Sequence, residues 1–326
     1  MEKIRRIDTQ EDAVHFLQVA LEHEWAVSFE YTIHAYSMPK GKYFYEDPVM
    51  KLPTDARAQL IQISIDEMYH SLQLGIILRQ MGADPSFKTD EVIRYPKIID
   101  NLKRDKLTED LVTDLYQSAE WKEDAYPKLQ NMALNIASDE VRHSRQFQVM
   151  IRTMETEKVP EALCFRESAE AAANPAVQLL HEITRMENEM MHRYLRFVLL
   201  FSEHQDLSQR LFKNSINHMR HWDKNSGILI KLGSVIQIEN AVREPDGKEI
   251  SRKPMPSVYS GHDRLSALET LIPAEEELIG KYERLLPLVP EGEIRNQLGL
   301  QLGLKREHLF TQEWLLKNAG RIKGLT

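Results

Sequence analysis

Along residues 11–38, the apolar positions Ala13, Phe16, Ala20, Trp25, Val27 and Ile33 recur at helical spacing with no Gly or Pro inside the run. Gly41 and Pro48 mark the connection to a second helix near 55–81, which Gly82-Ala83-Asp84-Pro85 stops. A looser segment, 86–107, leads to a third helix carrying Leu111, Leu115, Tyr116 and Ala119, broken near Asp124–Pro127. A fourth carries Met132, Ala133, Ile136, Phe147, Met150 and Ile151 to about residue 157. Four such helices predict one bundle. Residues 159–176 read as a linker, and the plan then repeats, with helices near 176–203, 206–236, 265–287 and 292–317. The second set has its own long connection, 240–264, where Pro245-Asp246-Gly247 reads as a turn and Pro254 and Pro256 oppose helix. The expectation is an all-α chain of two tandem four-helix bundles, residues 1–158 and 177–326.

Composition narrows this picture without changing it. A chain of 326 residues has room for two cores, and 13 Gly with 14 Pro is comfortable for a helical protein. Lys and Arg number 42 against 50 Asp and Glu, a net charge of −8, which argues against a nucleic-acid stripe. The single cysteine, Cys164, excludes a disulfide framework, a Cys-x-x-Cys metal site and an iron–sulfur cluster held by this chain. The opening MEKIRRIDTQ lacks the apolar core of a signal peptide, and the longest apolar stretch, Tyr194–Phe201, is too short to span a bilayer. A cytoplasmic protein without membrane or nucleic-acid partners is expected.

The repetition extends to individual residues. Ser64-Ile65-Asp66-Glu67-Met68-Tyr69-His70 is echoed by Ser215-Ile216-Asn217-His218-Met219-Arg220-His221. Glu24 and Tyr31 are echoed by Glu187 and Tyr194, Glu109 and Tyr116 by Glu275 and Tyr282, and His143 by His308. Four echoes in order point to internal duplication.

In the first half, two helices carry Glu-x-x-His, Glu67/His70 and Glu140/His143, so each offers a carboxylate and an imidazole on one face. The other two helices each offer a Glu seven residues before a Tyr, Glu24 and Glu109. One Glu from each of two helices plus Glu-x-x-His from the other two is the ligand set of a carboxylate-bridged dimetal site. Oxygen and imidazole donors suit iron, with manganese as the alternative, rather than copper(I). Glu120 and Glu123 compete with Glu109 on the third helix, because Thr108 reads as a helix cap that would leave Glu109 in the first turn. His15, His23 and His34 fit helix surfaces and add nothing to the set.

These residues resemble the ferritin-like superfamily, especially bacterioferritins and rubrerythrins. His23-Glu24-Trp25-Ala26-Val27 through Glu30-Tyr31-Thr32-Ile33-His34-Ala35 is similar to the bacterioferritin first helix. Ile65-Asp66-Glu67-Met68-Tyr69-His70 resembles its second-helix motif and Asp139-Glu140-Val141-Arg142-His143 its fourth. The resemblance covers residues 11–157. It implies Glu24 and Glu109 as terminal ligands, Glu67 and Glu140 as bridging ligands, and His70 and His143 as nitrogen ligands of two iron ions.

In the second half the matching positions read Glu187, His218, His221, Glu275, Lys305 and His308, so both bridging carboxylates are gone. One reading is a structural bundle in which Lys305 pairs with Glu187 or Glu275. The other is a single metal ion held by His218, His221, His308 and a Glu. For the whole chain, the expectation is a di-iron oxidoreductase acting on dioxygen or peroxide and drawing electrons from an external donor. A ferroxidase and a non-enzymatic metal-dependent scaffold are the alternatives, and a homodimer stays open.

Overall fold

The computed structural model describes residues 6–86, 88, 92–122, 126–157, 159, 161–236, 241–243, 245, 249–252 and 263–322. The chain divides into two compact units, residues 1–165 with 241–250, and residues 166–240 with 251–326. Part of the long connection 240–264 thus belongs to the first unit, where Ala241–Arg243 pairs in parallel with Val92–Ile93. Asp246, Gly247, Pro254 and Pro256, singled out above, lie outside the described residues.

The first unit is built from α1 (Gln10–Tyr36), α2 (Ala56–Gln80), α3 (Ile98–Gln117) and α4 (Pro127–Thr156). Helix α1 packs along α2 and α3 along α4, and α1 also meets α3. Local sequence sets most of the ends. Thr9 accepts from the Asp12 backbone while the Asp12 carboxylate accepts from the Thr9 backbone, a capping box that opens α1. Asp55 caps α2 at Ala58 N, and Pro127 stands at the start of α4, where its missing N–H is harmless. Gly82, at φ +81, ends α2 in a left-handed conformation that a Cβ would penalise.

Helix α3 departs from the sequence reading: it starts at Ile98, inside the segment expected to be loose. Ile98, Ile99 and Leu102 form its buried face, and Asp105 takes the next inward position. A carboxylate there breaks the apolar pattern that announces a helix, but it is partnered by His34 of α1, Nδ1 to Oδ1 2.6 Å. The longer helix puts Glu109 near its middle. Thr108 is no cap, since its hydroxyl donates to the Arg104 carbonyl. Around the bundle centre Phe16 meets Tyr116 edge-on at 5.9 Å between centroids, and Tyr31 leans on Phe147 at 5.4 Å.

The second unit contains α5 (Pro175–Leu200), α6 (Gln205–Lys231), α7 (Leu271–Leu285) and α8 (Glu293–Lys317). Helix α5 packs along α6 and α7 along α8, with α5 also against α7. Two helices are shorter than expected. Helix α6 stops before Gly233, at φ +80, rather than running to 236. Helix α7 is separated from a short turn, Arg264–Glu269, because Pro273 has no N–H for the Glu269 carbonyl and its ring crowds that oxygen. The described secondary structure is overwhelmingly α, with only short strands besides, in two two-stranded sheets and one three-stranded sheet. No helix among the described residues is long and apolar enough to cross a membrane.

Candidate metal centre

Each helix of the first unit contributes at mid-length: Glu24 from α1, Glu67 and His70 from α2, Glu109 from α3, Glu140 and His143 from α4. All six side chains are buried. They form two groups, Glu24–Glu67–His70–Glu140 and Glu67–Glu109–Glu140–His143, each with candidate ligand atoms within 4.8 Å of one another. Glu67 and Glu140 belong to both. The His70 Nδ1 lies 2.9 Å from Glu67, 3.1 Å from Glu140 and 3.6 Å from Glu24. His143 Nδ1 lies 2.9 Å from Glu67 and 3.7 Å from both Glu109 and Glu140.

Several of these atoms have no hydrogen-bond partner: Glu24 Oε2, Glu67 Oε1, both Glu109 oxygens, Glu140 Oε1 and His143 Nδ1. Glu67 Oε1 and His143 Nδ1 are close, yet their geometry is not that of a hydrogen bond. Buried acceptors converging without donors are costly unless cations stand among them. The carboxyl energetics agree. Burial, then the neighbouring Glu109 and Glu24, push Glu140 up to about 8, and burial with Glu140 pushes Glu67 up to about 7. Burial also raises Glu24, but hydrogen bonding and charge from His70 outweigh it and hold the carboxyl at about 2. A carboxylate and imidazole set of this kind fits a dimetal site.

A second ring of side chains orients the first. Asp66, on α2, faces His143 Nε2 of α4 at 3.3 Å, and Asp139, on α4, faces His70 Nε2 of α2 at 3.4 Å. Arg142 holds both aspartates, 3.1 Å from each. With each Nε2–H donated to an aspartate, the Nδ1 lone pair of both imidazoles points inward. The Tyr116 hydroxyl donates to Glu24 Oε1 at 2.5 Å, across the bundle rather than to Glu109 of its own helix. The sequence reading gave Asp66 and Asp139 no role. Their signal was an Asp immediately before the Glu of both Glu-x-x-His runs.

Of the competitors to Glu109, Glu120 is exposed in a short strand, Glu120–Trp121, away from both groups, and Glu123 lies outside the described residues. His34 is not a surface residue: it is wholly buried, with Nδ1 on Asp105 and Nε2 on the Ile93 carbonyl at 3.0 Å. An open cavity of about 510 Å³ reaches His70 between α2 and α4, lined by Asp47, Met50, Asp66, Tyr69, Asp139 and Arg142 among others. Its Asp47 and Met50 come from the connection 38–54, and Gln146 Nε2 donates to Asp47 at 2.7 Å.

In the second unit, Glu187, His218, Glu275 and Lys305 are wholly buried, with His221 and His308 nearly so. Lys305 Nζ donates to Glu187 Oε2 at 2.6 Å, so the pairing expected of it is made with Glu187. His221 Nδ1 also faces Glu187, at 3.4 Å. The four-ligand arrangement of His218, His221, His308 and a Glu is not formed. His218, Glu275 and His308 come together, and His221 stays outside that group.

Compared with known proteins, residues 17–163 match the family model described as Ferritin-like. No curated protein and no solved structure matches the chain.

Proposed function

We propose, for a chain whose residues 17–163 belong to the ferritin-like family, that the first unit is a non-haem di-iron oxidoreductase acting on dioxygen or peroxide. One observation carries this reading: two four-residue ligand groups share Glu67 and Glu140 and leave buried acceptor atoms without donors. Glu24, His70, Glu109 and His143 would complete the ligand set, one carboxylate and one imidazole at each end. Iron held there supplies electrons to an oxygen–oxygen bond, which neither carboxylate nor imidazole can do.

The chain's own residues then have separable tasks. Asp66 and Asp139 keep the imidazoles in one tautomer and orientation. Arg142 offsets the charge of those aspartates at the cavity wall. Tyr116 keeps one Glu24 oxygen occupied, leaving Oε2 turned inward. Tyr31 and Phe147 pack together in the buried core, and the cavity over His70 offers small molecules a way to the centre. Electrons come from an external donor.

A ferroxidase is the second reading, favoured by Asp47, Asp66 and Asp139 in the cavity wall, which suit the passage of a cation. Oxygen uptake by the iron-loaded full chain separates the two. Uptake that ends once a fixed amount of ferrous iron is oxidised indicates iron handling, and uptake sustained by a reductant with catalytic iron indicates an oxidase. Glu67→Ala should lose one of the two ions and all turnover; retained turnover would overturn the site assignment.

A further inference from the structure

We propose that the second unit holds one divalent transition-metal ion on His218, Glu275 and His308, with the Lys305 ammonium standing where a second ion would otherwise sit. The positions that echo the two shared carboxylates, Glu67 and Glu140, are His218 and Lys305. The change therefore falls unevenly on the two ends of the site. At one end Lys305 Nζ is 2.6 Å from Glu187 Oε2 and 2.8 Å from His218 Nδ1, so a cation is already supplied by the chain. At the other end His218, Glu275 and His308 offer candidate ligand atoms within 4.8 Å of one another, with Lys305 Nζ 3.5 Å from His218 Nε2.

The donor atoms at that end are poised for an ion. His218 Nε2 is 3.0 Å and His308 Nδ1 3.3 Å from the same oxygen, Glu275 Oε1. His308 Nδ1 and Glu275 Oε2 are buried without a hydrogen-bond partner. The surrounding groups match what ligating side chains need. His218 Nδ1 lies 2.6 Å from Glu187 Oε2, and a proton on that nitrogen turns the Nε2 lone pair toward Glu275. The Asn217 carboxamide, which stands with Nδ2 3.2 Å from His308 Nε2, takes the place that Asp66 takes at His143. With its oxygen toward the ring, it accepts Nε2–H and frees Nδ1, the two ends of an amide being interchangeable by a half turn. Tyr194 donates to Glu275 Oε1 at 2.8 Å and fixes that carboxylate. Two imidazoles and one carboxylate, with further positions open, suit zinc, cobalt(II) or ferrous iron.

Without an ion, the same residues balance their charges differently. His218 then bridges the two carboxylates, Nδ1 2.6 Å from Glu187 and Nε2 3.0 Å from Glu275, with Lys305 on Glu187, and a bound ion would take over the Nε2 contact.

The test uses the full chain with its first site disabled by Glu67→Ala and Glu140→Ala, stripped of metal and titrated with cobalt(II). Metal content is measured after desalting and the visible ligand-field bands are followed. The expected result is one cobalt per chain, with bands showing imidazole and carboxylate ligation, displaced stoichiometrically by zinc. His308→Gln and Glu275→Gln on the same background, each near-isosteric, should weaken binding about tenfold or more, while His221→Gln should leave it unchanged. No retained cobalt on the background would overturn the proposal, as would cobalt that survives both His308→Gln and Glu275→Gln. Circular dichroism of each variant excludes unfolding as the cause of a loss.

Discussion

Replacing Glu140 by Gln should make the metal-free protein more stable at neutral pH while removing its capacity for two ions. Burial, with Glu109 and Glu24 beside it, lifts the Glu140 carboxyl from 4.5 to about 8. A carboxyl whose value is higher folded than unfolded binds its proton more tightly when folded. Its stabilising contribution is present below pH 4.5 and is lost as the pH rises through about 8. At about 1.4 kcal/mol per pH unit, the loss reaches about 3 kcal/mol at pH 7. Glutamine keeps the shape and has no such proton to lose, so Glu140→Gln escapes the loss, less about 1 kcal/mol for imperfect amide hydrogen bonds. Two units need not unfold together, so the assay must be local. Amide exchange of peptides from Pro127–Thr156, read on chelator-treated protein at pH 5 and pH 8 and corrected for intrinsic exchange, isolates the first unit. Protection in the unmodified protein should fall relative to the variant by on the order of 100-fold between those pH values. Parallel protection at both pH values, or a variant less protected than its parent at pH 8, would refute the reasoning.

Asp66→Ala and Asp139→Ala should each weaken metal binding about 10- to 100-fold, measured by competition with a chromogenic chelator. Their effects should fall on different ions, Asp66 on the one nearer His143 and Asp139 on the one nearer His70. Lys305→Met leaves Glu187 charged in the core and should destabilise the metal-free second unit by about 3–5 kcal/mol, read as lost amide protection in Glu293–Lys317. Adding Glu187→Gln should recover most of that loss. Thr9→Ala removes one half of the α1 capping box and should cost about 1 kcal/mol, measured by exchange at the start of that helix.

Much of the fold was legible because apolar spacing and stop signals agree locally. Gly82 sits at a helix end in both the sequence and the structure. The reading failed where polar residues occupy inward positions. Asp105 and His34 are both buried, and their mutual contact, 71 positions apart in sequence, together with the Ile93 carbonyl on His34 Nε2, offsets the cost. A pattern search sees two surface residues there, so it loses the first turns of α3 and places His34 outside. The six candidate ligands could be read as a set because Glu-x-x-His is local. The partners of Asp66, Asp139 and Tyr116 could not, since each reaches a different helix.

That crossing has a consequence for how the protein acquires and keeps metal. Helices α1 and α2 form one hairpin, α3 and α4 the other, and neither hairpin alone contains either four-residue group. Glu67 contributes to both groups from one hairpin and Glu140 to both from the other. An ion held there would therefore act as a fastener between the hairpins, and a nascent chain has no complete group to offer until they have docked. Removing metal should loosen the seam between hairpins before it frays either one. Hairpin separation, more than ligand exchange at the open cavity, would then set the slowest rate of metal escape.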